Sequence, residues 1–359
     1  MADQAAPTKT ISDFEAKLSE ADKNVASFDK DDRTLGHVLR GLLRSNPTII
    51  PALILLLSIA GFGLVAHNFL KLVTLSVVLQ QVTVTGIIAI AQTIIILTAG
   101  IDLSVGAILV VSAFVMGKLA TESGVPAIFA IPIGIGAGGV MGWYIGVLVS
   151  YLKLPPFIVT LGLLSQYTWL KLWYSHSESV RADVIEGKAP ALLWFGNAFS
   201  YGGASITYGG IALFVVAILA WYLLNRTAWG RHVHAMGDDP DAAMLAGIRT
   251  NWVLVSVYTL SGLICGIAAW VSIGRVGSIG PIGFETVNLD SITAVVIGGT
   301  SLFGGRGSIV GSVLGALIVG VFSTGLSLAG VDSIWQYLAT GNLIIFAVAI
   351  DQWLRRASQ

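Results

Sequence analysis

A glycine-rich segment, residues 298–308, is the first of several places where side chains of this 359-residue protein could do chemistry. It reads GGTSLFGGRGS, and glycine-rich turns can hold phosphate on their backbone amides. Gly299 and Gly304 have the glycine interval of a P-loop, but Gly305 and Arg306 stand where Lys and Ser or Thr are required. No strand-like segment leads into it. We therefore expect a tight turn that binds no nucleotide, with Gly304, Gly305 and Arg306 as structural or gating candidates.

A single carboxylate stands out in the segment AGIDLSVG, residues 99–106. An acidic group at the edge of a membrane segment is costly unless it is paired, hydrated or engaged in capping. Asp102 or Ser104 can cap the free amides of the helix that follows. A proton or ion relay through Asp102 is the alternative, but a relay normally includes further buried carboxylates or histidines, and the apolar segments hold almost none.

A polar loop at 226–250 contains GRHVHAMGDDPDAAMLAGIR. Asp238 or Asp239 can cap a helix start, Pro240 suits its first turn, and Gly247 can end it in the left-handed conformation. The predicted helix spans 241–246, about two turns, which is too short to be stable alone in water. It must pack on a partner protein, on the membrane surface or on the chain's own helices. The residues that form and cap this predicted docking helix are Asp238, Asp239, Asp241, Ala242, Ala243, Met244, Leu245 and Gly247.

The composition identifies the elements that must position these groups. Hydrophobic residues make up 55% of the chain, charged residues 11%, and the mean hydropathy is +0.82. These values are typical of a polytopic membrane protein and not of a soluble domain. The net charge of +0 gives no reason to expect a nucleic-acid partner. The single cysteine, Cys265, excludes disulfides within the chain and cysteine metal clusters, and we expect no metal site.

The apolar segments predict an all-α membrane protein, a polytopic bundle of about ten transmembrane helices, because a helix needs roughly 20 apolar residues to cross a bilayer. The predicted spans are 48–66, 84–100, 103–121, 126–151, 157–174, 208–225, 251–273, 287–303, 308–329 and 332–351. The uncharged run from Leu72 to Ile101 is too long for one crossing. Gln80, Gln81 and Thr83 within it suggest a separate interfacial or re-entrant piece before residue 84.

Lys and Arg residues set the expected orientation, because short cytoplasmic loops are enriched in them. With the N-terminus inside, the inner side receives Arg40, Arg44, Lys153, Arg226, Arg231, Arg249, Arg306, Arg355 and Arg356. Both termini are then cytoplasmic. We expect a polar tail over 1–46 with an amphipathic helix on the membrane surface near 35–43, a transmembrane domain over 47–351, and a cytoplasmic tail over 352–359.

Glycines at every fourth position predict close helix packing. Gly134, Gly138, Gly142 and Gly146 place a flat groove along one helix face, where another backbone can approach. The pairs Gly262–Gly266 and Gly311–Gly315 repeat the spacing. The groove can serve an internal contact, which we favour, or a seam between two subunits.

Four segments carry a family resemblance. AGIDLSVGAILVVSA (99–113), PPFIVTLGLLS (155–165), GRHVHAMGDDPDAAMLAGI (230–248) and the segment 284–321 resemble the permease subunits of bacterial monosaccharide ABC importers of the ribose, xylose and fructose type. The resemblance covers nearly everything after residue 47. It departs at Asp238 and Asp239, where that family often has Gly-Asn.

This resemblance implies a permease without a catalytic site of its own, in the bacterial inner membrane. Such permeases pair as homodimers, receive sugar from a periplasmic binding protein, and are driven by a cytosolic ATPase subunit that grips the coupling helix. ATP and Mg²⁺ would then bind to the ATPase and no cofactor to this chain. The other expected contacts are the monosaccharide, fructose or ribose among them, and membrane lipid.

Polar and aromatic groups within or near the predicted spans are candidates for the sugar path, because sugars bind through hydroxyl hydrogen bonds and aromatic stacking. They are Gln92, Gln166, Tyr167, Trp169 and Asn342. Aromatic residues at span ends also serve as interface anchors.

Two other classes of function are weighed against an importer subunit. An ion-coupled secondary sugar transporter would show intramembrane carboxylates and discontinuous helices, and only Asp102 approaches that pattern. A membrane-embedded enzyme would need a cluster of His, Asp, Glu or Cys within the spans, and the sequence shows none.

Overall fold

The computed structural model describes residues 48–332 and, beyond them, 334–339, 341–342, 345 and 349. Contacts divide the chain into residues 1–46 and 47–359. The predicted amphipathic helix near 35–43 and the tail 352–359 lie outside the described residues. The predicted span 332–351 is described only in part, at helical positions that include 334–339.

The described part of the chain is mainly helical. Its α-helices, in chain order, are α1 Ile49–Val65, α2 Leu72–Ile96, α3 Val105–Thr121, α4 Ala127–Ser150, α5 Pro156–Ser175, α6 Ala182–Lys188, α7 Tyr208–Arg226, α8 Ala228–Asp238, α9 Pro240–Leu245, α10 Thr250–Val276, α11 Val287–Ile297 and α12 Ile309–Leu328. Among these, α2, α4, α7, α10 and α12 are long and apolar enough to cross a membrane. Shorter apolar helices are α1, α3 and α11.

The predicted break before residue 84 is wrong, because α2 is one continuous helix of 25 residues. Its polar side chains find partners without a break. Gln80 donates to the Ser205 carbonyl at 3.1 Å, and the Thr83 hydroxyl donates to the Leu79 carbonyl at 2.7 Å. Gln80 therefore marks a contact with another segment, Thr83 bonds within its own helix, and neither changes the backbone path.

The predicted span 287–303 is also wrong in its length, because α11 ends at Ile297. Gly298 and Gly299 follow, and Gly299 has a left-handed backbone with φ of +84°. The residues between α10 and α11 contain no regular helix over 277–286. The chain therefore leaves α10, runs 10 irregular residues, and enters a short helix of 11 residues.

The glycine groove of α4 serves an internal contact. A Cβ atom at Gly138 would overlap the Gly262 carbonyl oxygen, and one at Gly142 would overlap that of Tyr258, both on α10. A Cβ at Gly266 would lie 2.6 Å from the Ile135 Cα of α4. The α4–α10 pair is the most extensive helix contact among the described elements. The internal reading of the groove is therefore confirmed.

The connection between α5 and α7 holds structure that was not predicted. It contains α6, a 3₁₀ helix at Pro190–Gly196, and an antiparallel hairpin of β1 Ala198–Tyr201 with β2 Ala204–Thr207. Trp194 and Phe195 pack on Trp270 of α10, with ring centroids 6.2 and 4.5 Å apart. This connection is thus fixed to the end of α10.

Candidate functional site

The loop at 226–250 folds as a pair of helices. Thr227 caps α8, because its hydroxyl oxygen accepts from the Gly230 amide at 3.2 Å. Val233 and Met236 lie on one face of this helix and are buried. Helix α8 was not predicted, although Thr227 as a capping residue and the three-residue spacing of Val233 and Met236 indicate it.

The second helix of the pair, α9, begins and ends much as the sequence indicates. Asp239 is the capping residue, and its Oδ1 accepts from the amides of Asp241 and Ala242, each at 3.0 Å. Pro240 is the first helical residue, and Gly247 has φ of +85°. The helix spans 240–245, one position earlier than the predicted 241–246.

One side of α9 packs on the protein and the other side is exposed on the protein surface. Ala243 is buried, whereas Met244 is 57% exposed and Leu245 is 86% exposed. Asp241 and Ala242 are also exposed. The short, capped helix therefore presents two large apolar side chains to the surroundings of the protein.

The base of this pair is fixed to the rest of the protein through α8. A Cβ at Gly237 would overlap the Leu97 carbonyl oxygen that follows α2, and it would lie 2.5 Å from the Gly305 amide nitrogen. His234 Nδ1 lies 3.1 Å from the Gly305 carbonyl oxygen, a hydrogen bond when Nδ1 carries the proton. The Gly305 amide donates to the Leu97 carbonyl at 3.0 Å. We call these contacts among α8, the 298–308 turn and residue 97 the base contact.

The glycine-rich turn joins α11 to α12. Gly304 and Gly305 have φ of +87° and +71°, which favours glycine at both positions. The Gly304 amide donates to the Ser301 carbonyl at 3.1 Å, and the Ser301 amide donates to the Arg306 carbonyl at 2.8 Å. These amides have partners within the protein, so they do not form an open phosphate cradle.

The residues around Asp102 connect α2 with α3. Asp102 is buried, and its Oδ1 accepts from the amide and the hydroxyl of Ser104 at 2.7 and 2.6 Å. The Gln92 side chain donates to the Asp102 carbonyl oxygen. Ser104 precedes α3, but its side chain accepts no helix amide. The carboxylate thus holds the turn that leads into α3.

A residue that the sequence analysis missed supplies the cap of α3. Asn288 of α11 accepts from the Gly106 amide through its Oδ1, at 2.7 Å. The pair is separated by 182 positions in the chain. No local pattern predicts such a contact, although Gly106 and Asn288 both lie in the segments that carry the family resemblance.

The five candidates for the sugar path fall in different environments. Gln92 is fully buried, and Tyr167 is buried with its hydroxyl donating to the Met141 carbonyl at 3.0 Å. Gln166 is exposed, and Trp169 is exposed and stacked on Trp173 at 5.6 Å. The Asn342 side chain donates to the Leu338 carbonyl at 3.0 Å. Gln92 joins the Asp102 turn, and no contact brings the five together.

The fold and this site define a multi-pass helical membrane protein with a capped pair of helices, α8 and α9, of which α9 is exposed. The sequence pattern of the family described as "Branched-chain amino acid transport system / permease component" matches residues 74–348. The chain therefore belongs to this family of permease components.

Several relatives have been named for sugars. A fructose import permease of Rhizobium meliloti is 50% identical over 347 residues, which cover 96% of this chain and 96% of the relative. A ribose import permease of Bacillus subtilis is 37% identical, covering 79% of this chain and 86% of the relative. The D-allose permease of Escherichia coli K12 is 35% identical, covering 84% and 91%. No solved structure matches the chain significantly.

Proposed function

We propose that this protein is the membrane-spanning subunit of an ATP-driven importer that carries a monosaccharide across the bacterial inner membrane. Membership of the permease family supports the class of protein. Fructose is the first substrate to test, because the relative that is 50% identical over almost the whole chain is named for it. Ribose and allose follow, at 37% and 35% identity.

The observation that carries the proposal is the exposed face of α9. Met244 and Leu245 are exposed on a helix of 6 residues that is too short to be stable without support. Asp239 and Gly247 cap its two ends, the buried Ala243 packs it on the protein, and the base contact holds the preceding helix α8. Apolar side chains on a rigid frame suit a groove in a partner protein, where burial stabilises the complex. We assign that partner as the cytosolic ATPase subunit.

The contacts of α8 also support the proposed topology. They connect α8 with residue 97 and the 298–308 turn, so these three regions lie on one side of any membrane. Arg231, Arg249 and Arg306 lie in or beside them, which favours the cytoplasmic side. We place α1 to α5, α7 and α10 to α12 in the membrane with a further span over the predicted segment 332–351, so that both termini would be cytoplasmic and the spans would number about ten.

The proposed mechanism is a shift between inward-open and outward-open arrangements. A sugar-loaded periplasmic protein and an ATP-closed ATPase each stabilise one arrangement through contacts that the other arrangement lacks. ATP and Mg²⁺ would bind to the ATPase, and this chain would bind no cofactor and catalyse no covalent step. A second copy of the chain would complete the translocation unit.

An ion-coupled secondary transporter is the second candidate, and one observation favours it. Asp290 lies in α11, a short helix that follows an irregular segment, so the chain has a second acidic group among its apolar helices. Such carboxylates and interrupted helices are typical of secondary carriers. The proposal therefore needs a test that depends on a partner.

Replacing both Met244 and Leu245 by Asp should abolish co-purification of the ATPase with the permease while the permease stays in the membrane. Burying two carboxylates in an apolar groove costs several kcal/mol, which is enough to lose the complex in a pull-down. The exchange Met244→Leu with Leu245→Met keeps the volume and serves as the control. Undiminished co-purification of the double Asp variant would remove α9 as the docking element.

A further inference from the structure

A cavity of about 380 Å³ lies beside α2, α11, α12 and the helical residues Gln336, Tyr337 and Gly341. This size is within the range of small-molecule sites, roughly 300–1,000 Å³. Its polar lining is contributed by Gln81, Thr85, Thr286, Asp290, Ser323 and Gln336. Tyr337 adds an aromatic ring with a hydroxyl group, and Val82, Leu289 and Val319 supply apolar wall.

The cavity is partly open, because Thr286, Leu289 and Tyr337 of its lining are exposed. Gln81 and Thr85 are the tenth and fourteenth of the 25 residues of α2, and they lie four positions apart on one face. With a rise of 1.5 Å per residue, Thr85 is about 20 Å from the start of a helix about 37 Å long. Thr286 and Asp290 come from the start of α11. The polar lining therefore lies along the middle of α2 and beside Ser323, five residues before the end of α12.

The amide of Gln81 is held in a fixed position. Its Nε2 donates to the Ser323 hydroxyl at 3.3 Å, and its Oε1 accepts from the Thr324 hydroxyl at 3.0 Å. Both partners belong to α12. The cavity wall between α2 and α12 is thus built by side-chain hydrogen bonds across the two helices.

This lining is unfavourable against lipid. A carboxylate such as Asp290, together with several amide and hydroxyl groups, is costly beside lipid unless a protein group, water or a ligand meets it. The lining offers donors and acceptors together and includes no Lys or Arg, so an anion is poorly matched. A neutral molecule with many hydroxyl groups is well matched, because each hydroxyl both donates and accepts.

We propose that this cavity is a binding site for the monosaccharide during its passage through the permease, with Asp290 accepting hydrogen bonds from sugar hydroxyls. Gln81, Thr85 and Gln336 contribute the neutral hydrogen bonds, and the Tyr337 ring provides a face for the C–H groups of the sugar. The proposal rests on the proposed function for its substrate class. None of the five residues that the sequence suggested for the sugar path lines this cavity.

Cysteine labelling tests the cavity directly. Cys265 is the only cysteine, so Cys265→Ser gives a background in which Thr85→Cys adds a single thiol. In the assembled importer in vesicles, a hydrophilic thiol reagent should label Thr85→Cys. Free fructose, ribose or galactose should slow labelling by the factor 1 + [L]/Kd, about twofold when the sugar concentration equals Kd.

The control for labelling is Ser112→Cys in the same background, because Ser112 is fully buried in α3 and does not line the cavity. It should stay unlabelled, and sucrose at equal concentration should not protect Thr85→Cys. Absence of labelling at residue 85 would mean that the cavity faces lipid. Labelling that no monosaccharide slows, in an importer active in uptake, would overturn the sugar site.

Asp290→Leu tests the role of the carboxylate. With the ATPase and binding protein reconstituted, it should lower sugar uptake about tenfold, the effect of losing a hydrogen bond to a charged group. Stimulation of ATP hydrolysis by the loaded binding protein should persist, and Asp290→Asn should be intermediate. Uptake by Asp290→Leu at the unmodified rate would overturn the role of Asp290.

The outcomes separate this inference from the proposed function. Loss of ATPase co-purification with the α9 variants concerns only docking, and protection at residue 85 concerns only the cavity. If Asp290→Asn makes uptake independent of an imposed proton gradient that otherwise drives it, Asp290 is an ion relay and the sugar site is wrong. If Asp290→Leu does not assemble, the protection of Thr85→Cys decides.

Discussion

At the residue scale, the two neighbouring acids Asp238 and Asp239 have different tasks. Asp239 accepts hydrogen bonds from two backbone amides at the start of α9. Asp238 instead lies against the glycine-rich turn, because a Cβ atom on Gly305 would overlap its carboxylate. The sequence left the cap open between them. The structure assigns it to Asp239, because only the residue directly before Pro240 has its side chain beside the free amides.

Asp239→Ala should weaken α9 by about 1 kcal/mol, the usual effect of losing an N-cap side chain. Because the ATPase must then order the helix on binding, its affinity for the permease should fall about fivefold. Titration of purified ATPase onto permease in nanodiscs measures this. Asp239→Asn, which keeps an accepting oxygen, is the control and should bind within error of the unmodified chain.

An affinity unchanged in Asp239→Ala would show that α9 is ordered without its cap. The packing of the buried Ala243 and the connection to α8 would then be sufficient to hold the helix.

Local chemistry predicts residues such as Asp239, Pro240 and Gly247, because capping depends on neighbours in sequence. It does not predict Asn288, whose side chain caps α3 from a different helix. It also does not predict that Gly237 meets Leu97 and Gly305, since three separate segments must fold before those atoms approach.

At the element scale, the seam between α4 and α10 is the main packing contact. Gly142→Leu places a side chain where the Tyr258 carbonyl lies, and overpacking of this kind costs 1–3 kcal/mol or more. We expect a lower melting temperature of the purified permease and less protein in the membrane. Thermal unfolding followed by fluorescence in detergent measures the first.

Gly136→Leu is the matched control on the same helix, because nothing lies within 4 Å of a Cβ at that position. It should leave the melting temperature close to that of the unmodified chain. Equal stability of the Gly142 and Gly136 variants would contradict the internal seam.

The bounds of a helix were predicted well where the length of an apolar segment determines them, and poorly where contacts with other elements determine them. The bounds of α4, α7 and α10 differ from the predicted spans by at most three residues. The continuity of α2 was missed, since the partners of Gln80 and Gln81 on β2 and α12 are invisible in a single segment. The early end of α11 was missed because the glycines after Ile297 read as part of an apolar run.

At the scale of the whole molecule, the proposed path of force begins at α9 and reaches the membrane helices through the base contact. Gly237, Gly305 and Leu97 bring α8, the α11–α12 turn and the end of α2 together. The α11–α12 turn leads to the helix that carries Asp290, and residue 97 leads to the turn that holds Asp102. Contiguous backbone contacts therefore run from α8, which precedes α9, to the segments that carry both acidic groups.

The central claim is that a partner ATPase, and not an ion gradient, drives transport through this chain. Reconstitution in vesicles tests it most directly, with labelled fructose as substrate and with the ATPase and binding protein added or left out. We predict accumulation of sugar against its gradient only when both partners and ATP are present. Accumulation by the purified chain alone, given only a proton or sodium gradient, would contradict the account.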